Sequence, residues 1–131
     1  MSKPFRILAI NPGSTSTKIS VFDGDNELFT EVISHSAEEI AQFETIYSQF
    51  EFRRDMVVKT VEEKGIELET LDAVVGRGGN MKPVAGGTYV VNDLMLEHLK
   101  IGVMGQHASN LGGIVADAIA RPLGLKSYVV D

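Results

Sequence analysis

The chain has 131 residues, which is the length of one domain and enough to bury a hydrophobic core without covalent staples. Apolar residues make up 44% and charged residues 23%, a composition that argues against disorder. Cysteine is absent, which excludes disulfide frameworks and thiolate metal sites. The net charge is -6 with no basic stripe, and no apolar run approaches the ~18 residues of a membrane helix. We expect a cytoplasmic protein that binds neither nucleic acid nor membrane.

The acidic residues are concentrated in one segment, residues 37–72, and the remainder of the chain is neutral. Charge runs of this kind are typical of a solvated helical face. We therefore predict an exposed acidic face here, with a subunit contact as the alternative. An anion site elsewhere in the chain has to depend on locally placed donors.

Three strands are predicted at the start of the chain, over residues 5–10, 17–23 and 27–35. Their short links allow only antiparallel pairing, so they predict a meander. In the second strand Ile19 and Val21 alternate with Lys18, which places the lysine on the other side of the strand.

The next segment is predicted to be helical. Ser36 and Glu39 have the spacing of a capping box, helical character continues to Lys64 with a break near residues 50–53, and Gly65 ends it. Further elements follow in chain order: strand 71–75, a loop from Arg77 to residue 87, an extended piece at 88–91, helices 93–100 and 109–121, and strand 127–130.

The predicted fold is α/β. Because the last two strands arrive through helices, each is predicted parallel to its neighbour, which gives a mixed five-stranded sheet with helices on both faces. The chain stops at Asp131 in the middle of a predicted strand. We expect a truncation near this residue, with an edge strand at the end of the domain as the alternative.

The most specific segment is the link between the first two strands, residues 11–18, which reads Asn-Pro-Gly-Ser-Thr-Ser-Thr-Lys. Gly13 allows a tight turn, successive N–H groups and hydroxyls can donate to phosphate oxygens, and Lys18 adds a cation. It is not a P-loop, because no glycine precedes the lysine and a strand follows. The sequence predicts a phosphate-holding hairpin turn; the alternative is a hydroxyl-rich turn that binds nothing.

Three later positions also carry functional chemistry. Arg77 lies among glycines at the end of a buried strand, where ligands bind in open α/β sheets, and its planar fork suits a carboxylate or phosphate. His107 precedes a predicted helix and could donate to a phosphoryl group, and Asp131 follows an apolar strand. A surface arginine and a loop histidine are the alternatives. His35 and His98 are interpreted as structural or surface residues.

Together these segments resemble the acetokinase family, and within it the butyrate kinases. The resemblance rests on residues 11–18, 74–79, 105–110 and 128–131, in that order. The segments Gly76-Arg77-Gly78-Gly79 and 105–110 are similar to butyrate kinases and differ from acetate kinases. The resemblance implies a ribonuclease H-like actin-ATPase fold, with residues 1–131 as an amino-terminal domain whose second domain is absent from this chain.

The resemblance also implies a reaction: the γ-phosphoryl group of ATP moves reversibly to a short-chain carboxylate, giving ADP and an acyl phosphate, with Mg²⁺ as cofactor. It implies a homo-oligomer in the full-length protein. Residues at the turn would bind the nucleotide phosphates: Asn11, Gly13, Ser14, Thr15, Ser16 and Lys18. Asn11 would also help to hold Mg²⁺.

The other implied site residues lie later in the chain. Arg77 would bind the carboxylate or the transferring phosphoryl group, beside Gly78 and Gly79. His107 would stabilise charge on that group, and Asp131 would act through Mg²⁺. The alternatives are an acetate or propionate kinase, a nucleotide-switched actin-like or chaperone-like binding domain, and a structural α/β domain.

Overall fold

The computed structural model describes residues 5–77, 88–90, 96 and 111–130. Among these residues six strands form one sheet: β1 (Arg6–Pro12), β2 (Ser16–Asp23), β3 (Asn26–Ser34), β4 (Ala73–Arg77), β5 (Thr88–Val90) and β6 (Ser127–Val130). The α-helices are α1 (Ala37–Ala41), α2 (Phe50–Glu63) and α3 (Leu111–Ala120). Short 3₁₀ turns occupy Tyr47–Gln49, Leu68–Thr70 and Arg121–Leu123.

The strand order across the sheet is β3-β2-β1-β4-β6-β5. The first three strands pair antiparallel, whereas β4 runs parallel to both β1 and β6. The predicted meander followed by parallel strands is therefore confirmed. The sheet has one strand more than expected, because the extended piece Thr88–Val90 pairs antiparallel with β6 as an edge strand.

The core lies between the sheet and the helices. Ile19 and Val21 of β2 are fully buried and Lys18 is exposed, as their alternation predicts. Val57 of α2 and Val115 of α3 are also fully buried, in the same hydrophobic cluster as those strand residues. Both of these helices consequently cover one face of the sheet.

The helical segment after the meander is interrupted earlier than predicted. Ser36 and Glu39 form the predicted capping box, but α1 ends at Ala41 and α2 begins at Phe50, where the break was expected. Between the helices Thr45 and Ser48 exchange backbone-to-hydroxyl hydrogen bonds, both at 3.1 Å. Such local bonds give the backbone an alternative to the helix, which explains the position of the interruption.

Two further element boundaries differ from the prediction. Strand β4 begins at Ala73 and extends through Arg77, so that the arginine is the last residue of a strand and not part of the following loop.

Gly65 ends the second helical segment with φ of 80°, as predicted. The predicted helix over 93–100 lies outside the described residues except for Leu96, which packs against the core. No helix in the described ranges is long and apolar enough to cross a bilayer.

Candidate functional site

The predicted hairpin turn connects β1 to β2 at one end of the sheet. The two strands stay in register up to the pair Pro12 and Thr17, and the Gly13 N–H donates to the Ser16 carbonyl at 2.7 Å. A Cβ on Gly13 would lie 3.4 Å from the Ser16 hydroxyl, which is an ordinary contact. The predicted turn is therefore present, and we call residues 13–16 the hydroxyl turn.

The hydroxyl turn presents donors that have no acceptor among the described residues. Ser14 and Thr15 are exposed and Ser16 is half-buried. Among the described residues, the hydroxyls of all three and the N–H groups of Ser14 and Thr15 donate to nothing. Free N–H and O–H groups clustered in one turn form a site suited to an anion.

Beside the turn an open cavity of about 480 Å³ lies against the sheet face that α2 and α3 do not cover. Asn11 pairs with Lys18 across β1 and β2, and Ile10 pairs with Gly76 across β1 and β4. This register places the side chains of Asn11, Lys18 and Arg77 in one row. The cavity is lined by Ala9, Ile10, Asn11, Lys18, Ser20, Phe22, Val75 and Arg77.

The positive charges near this cavity are not neutralised by described carboxylates. Five other described cations form ion pairs: Arg6, Arg54, Lys59, Lys64 and Arg121. Lys18, Arg53, Arg77 and Lys126 pair with no acid in the described part of the chain. Three of these four lie at the cavity or under the hydroxyl turn. In a chain of net charge -6, this concentration of unpaired cations favours a bound anion.

One contact of the turn was missed from the sequence. Arg53, inside the segment predicted to be a solvated acidic face, is fully buried and donates to the carbonyl of Gly13 at 2.6 Å. The available signal was its position four residues before Val57, on the apolar side of α2. An arginine on a buried helical stripe indicates a partner inside the fold.

A buried histidine supports the far side of the turn. His35 is 4% exposed, its Nε2 lies 2.9 Å from the Thr17 hydroxyl, and its backbone N–H donates to the Thr15 carbonyl at 2.8 Å. Its Nδ1 has no hydrogen-bond partner among the described residues. Burial, and secondarily the charge of Arg53, lowers the pKa of His35, so the ring is neutral at pH 7. The structural role predicted for His35 is confirmed.

The remaining predicted site residues lie outside the described ranges. These are Gly78, Gly79, His107 and Asp131. Within the described ranges no cluster of three or more His, Asp or Glu could hold a metal ion. The cavity offers the half-buried amide of Asn11 and no carboxylate. Mg²⁺ in proteins is usually held by one or two carboxylates together with water and phosphate oxygens, and of these ligand types the Asn11 amide supplies only a neutral oxygen.

Comparison with known proteins begins with the sequence. No protein-family model matches the chain. It is 55% identical over 127 residues to a probable butyrate kinase of Clostridium botulinum, and 53% identical to butyrate kinase 2 of Clostridium acetobutylicum. Each match covers 97% of this chain and 36% of the relative. The chain thus spans about a third of the length of these curated relatives, and the resemblance noted from its motifs is confirmed.

Solved structures give the fold. Porphyromonas gingivalis acetate kinase superposes with a TM-score of 0.59 at 16% identity, over 96% of this chain and 37% of that one. Entamoeba histolytica acetate kinase gives the same TM-score at 15% identity, over 95% of this chain and 34% of that one. The predicted actin-ATPase type of α/β fold is thereby confirmed.

Proposed function

Because this chain is homologous to butyrate kinases along 97% of its length, we propose that it forms the phosphate-handling part of an ATP-dependent carboxylate kinase. The observation that carries the proposal is the row of Asn11, Lys18 and Arg77 beside the hydroxyl turn. These groups supply free donors and unpaired positive charge at one end of the sheet. The substrates we propose are Mg·ATP and butyrate or a branched analogue.

The reaction transfers one phosphoryl group. A carboxylate oxygen forms a bond to the γ-phosphorus while the bond between that phosphorus and the β,γ-bridging oxygen breaks, giving an acyl phosphate and ADP. A carboxylic acid has a pKa of about 4.3, so the nucleophile is already ionised at neutral pH and no strong base is required. The main barrier is the approach of one anion to another, which cations and donors must offset.

The site residues that the structure describes would help the carboxylate to approach the phosphate. The N–H groups and hydroxyls of Ser14 and Thr15 donate to phosphate oxygens, and Ser16 and Lys18 line the same path. Arg77 offers a planar fork to the carboxylate or to the transferring phosphoryl group. Because the sheet would hold these donors in place before the ligand binds, little reorganisation would be needed during the reaction.

Residues outside the described ranges complete the proposal. His107 would stabilise charge on the phosphoryl group, and Gly78 and Gly79 would leave room for the acyl chain beside the arginine. Asn11 and Asp131 would hold Mg²⁺, which when bound neutralises phosphate charge.

We further propose that the activity needs more chain than these 131 residues. The curated relatives are about three times as long, since the match covers 36% of them. A second domain would supply the adenosine pocket and close over the acyl phosphate, which is prone to hydrolysis. A homo-oligomer in the cytoplasm, where Mg·ATP is available, remains our expectation for the full-length protein.

The proposal is tested by trapping the product. The full-length protein is incubated with Mg·ATP, hydroxylamine and acetate, butyrate or isobutyrate in turn, and the hydroxamate is quantified. We expect the highest kcat/KM with butyrate or isobutyrate. A preference for acetate would reassign the substrate within the same reaction.

The same assay distinguishes a kinase from a nucleotide-switched binding protein. Release of ADP without hydroxamate from any short acid would indicate such a binding protein and would refute the kinase. If the full-length protein shows no response of its hydroxyl turn to Mg·ATP by NMR, the turn is structural.

A further inference from the structure

The most unusual buried group in the described residues is the guanidinium of Arg53. It projects from the inward face of α2 and is fully buried, although charged side chains are rarely buried without an opposite charge. No carboxylate pairs with it in the described part of the chain. A buried charge of this kind requires other acceptors, and all of them here belong to neutral groups.

Those acceptors are concentrated in the hydroxyl turn. Nη1 donates to the carbonyls of Gly13 at 2.6 Å and Ser16 at 3.1 Å, and Nη2 donates to the carbonyl of Ser14 at 3.2 Å. The side-chain oxygen of Gln49 accepts from Nε at 3.1 Å and from Nη2 at 2.9 Å. The fork is thus held by α2 at its base and grips three backbone carbonyls of the turn.

These hydrogen bonds determine the direction in which the N–H groups of the turn point. In a planar trans peptide the carbonyl and the next residue's N–H point in opposite directions. Because the carbonyls of Gly13 and Ser14 point inward to Arg53, the N–H groups of Ser14 and Thr15 point outward, and neither has an acceptor among the described residues. The outer side of the turn therefore presents donors while its carbonyls are occupied on the inner side.

The charge of Arg53 also favours an anion on the outer side of the turn. The guanidinium lies on the inner side of the turn, so the peptide groups of the turn separate it from the outer surface. It is fully buried from water. With no described acid to neutralise it, its field reaches an anion bound on the outer side with little screening. A second cation, Lys18, stands on the strand that leaves the turn.

We propose that Arg53 is a positioning residue for phosphate: it orients the hydroxyl turn from beneath and lends uncompensated positive charge to a nucleotide phosphate bound on the outer side. This inference rests on the proposed function, because it assigns the outer side of the turn to the phosphates of ATP. It adds a residue of α2, remote in sequence from the turn, to the determinants of nucleotide binding.

The test compares two adjacent arginines of α2 in the full-length protein. Arg53→Met removes the fork and the charge while keeping a long apolar side chain. Arg54→Met is the matched control, because Arg54 is partly exposed and pairs with Asp55 at 3.1 Å. KM for Mg·ATP, KM for the carboxylate and kcat are measured for each, and circular dichroism verifies folding.

We expect Arg53→Met to raise KM for Mg·ATP about tenfold or more, with KM for the carboxylate changed by less than about twofold. Arg54→Met should leave both values within about twofold of wild type. A wild-type KM for Mg·ATP in folded Arg53→Met, or equal increases in both KM values, would overturn the proposal.

A second variant covers the case in which Arg53→Met does not fold. Arg53→Lys keeps the charge but cannot reach three carbonyls at once, so we expect KM for Mg·ATP to rise about threefold. A value equal to that of wild type would contradict a positioning role.

Calorimetric titration of Mg·ATP separates this inference from the proposed function. If the wild-type protein binds Mg·ATP without forming acyl phosphate, and Arg53→Met or Arg53→Lys weakens that binding, the kinase assignment fails and the role of Arg53 stands. If the wild-type protein makes acyl phosphate and both Arg53 variants bind Mg·ATP normally, the role of Arg53 fails alone.

Discussion

The backbone of Gly76 in β4 lies directly against the backbone of Gly112 in α3. A Cβ added to Gly76 would be 2.1 Å from the Gly112 carbonyl oxygen, and one added to Gly112 would be 2.1 Å from the carbonyl oxygen of Arg77. The absence of both side chains allows the start of α3 to rest on the end of β4. This contact positions the backbone of Arg77 at the cavity.

Gly76→Ala should therefore destabilise the protein. The added methyl group would meet rigid backbone, which can relieve the overlap only by shifting α3, and overpacking of this kind costs about 1–3 kcal/mol. The midpoint of urea-induced unfolding measures the effect. Gly13→Ala is the matched control, because its nearest neighbour would be the Ser16 hydroxyl at 3.4 Å. Equal midpoints for the two variants would contradict the packing described here.

If the proposed function is right, Arg77→Ala in the full-length protein should lower kcat/KM by about tenfold or more, because a developing anion is left without its cation. The hydroxamate assay measures the loss. Lys126→Ala is the control, since Lys126 also lacks a described carboxylate partner but precedes β6, at the end of the sheet away from Arg77. If Arg77→Ala retains wild-type turnover, the assigned role is wrong.

His35 should make stability fall in mildly acidic solution. Its pKa is lowered in the folded state by burial and then by Arg53. Below about pH 6.5, the ordinary value, the unfolded chain takes up a proton that the folded chain resists, so the free energy of unfolding decreases until the folded pKa is reached. Above about pH 6.5 the residue contributes no pH dependence.

Chemical denaturation at a series of pH values between about 5 and 8 tests this expectation. His35→Gln, which can still form a hydrogen bond with the Thr17 hydroxyl, should show a flatter profile below about pH 6.5 than wild type. The difference between the two profiles reports the titration of His35. Parallel profiles would show that His35 does not titrate differently on folding.

Arg6→Met should destabilise the start of the sheet by about 1–3 kcal/mol. Its guanidinium donates twice to Asp23, at 2.7 and 2.9 Å, and once to the Thr70 hydroxyl at 2.9 Å. Arg54→Met removes a more exposed ion pair with Asp55 and a cation–π contact with Phe50, and should cost about 1 kcal/mol or less. Urea midpoints that rank the two variants in the opposite order would refute this account.

Much of the fold could be predicted because the signals are local. The alternation of Lys18 with Ile19 and Val21 repeats every two residues, and the capping box of Ser36 and Glu39 spans one helical turn. The order of elements then limited the topology to a meander followed by parallel strands.

The boundaries that differed depend on competition between local and tertiary contacts. The interruption before α2 reflects the mutual bonds of Thr45 and Ser48, which compete with helical bonds of similar strength. The additional strand β5 is an edge strand of three residues, and its pairing with β6 cannot be read from so short a segment.

The sequence by itself determined that a glycine and consecutive hydroxyl side chains would link two antiparallel strands ahead of Lys18, because turn chemistry and strand alternation are written in neighbouring residues. Only the tertiary structure decided that Arg53, 40 positions after Gly13, grips that turn from beneath. It also decided that β4 lies beside β1 and brings Arg77 into line with Asn11. Contacts between distant residues depend on how the whole core packs, and no local pattern records them.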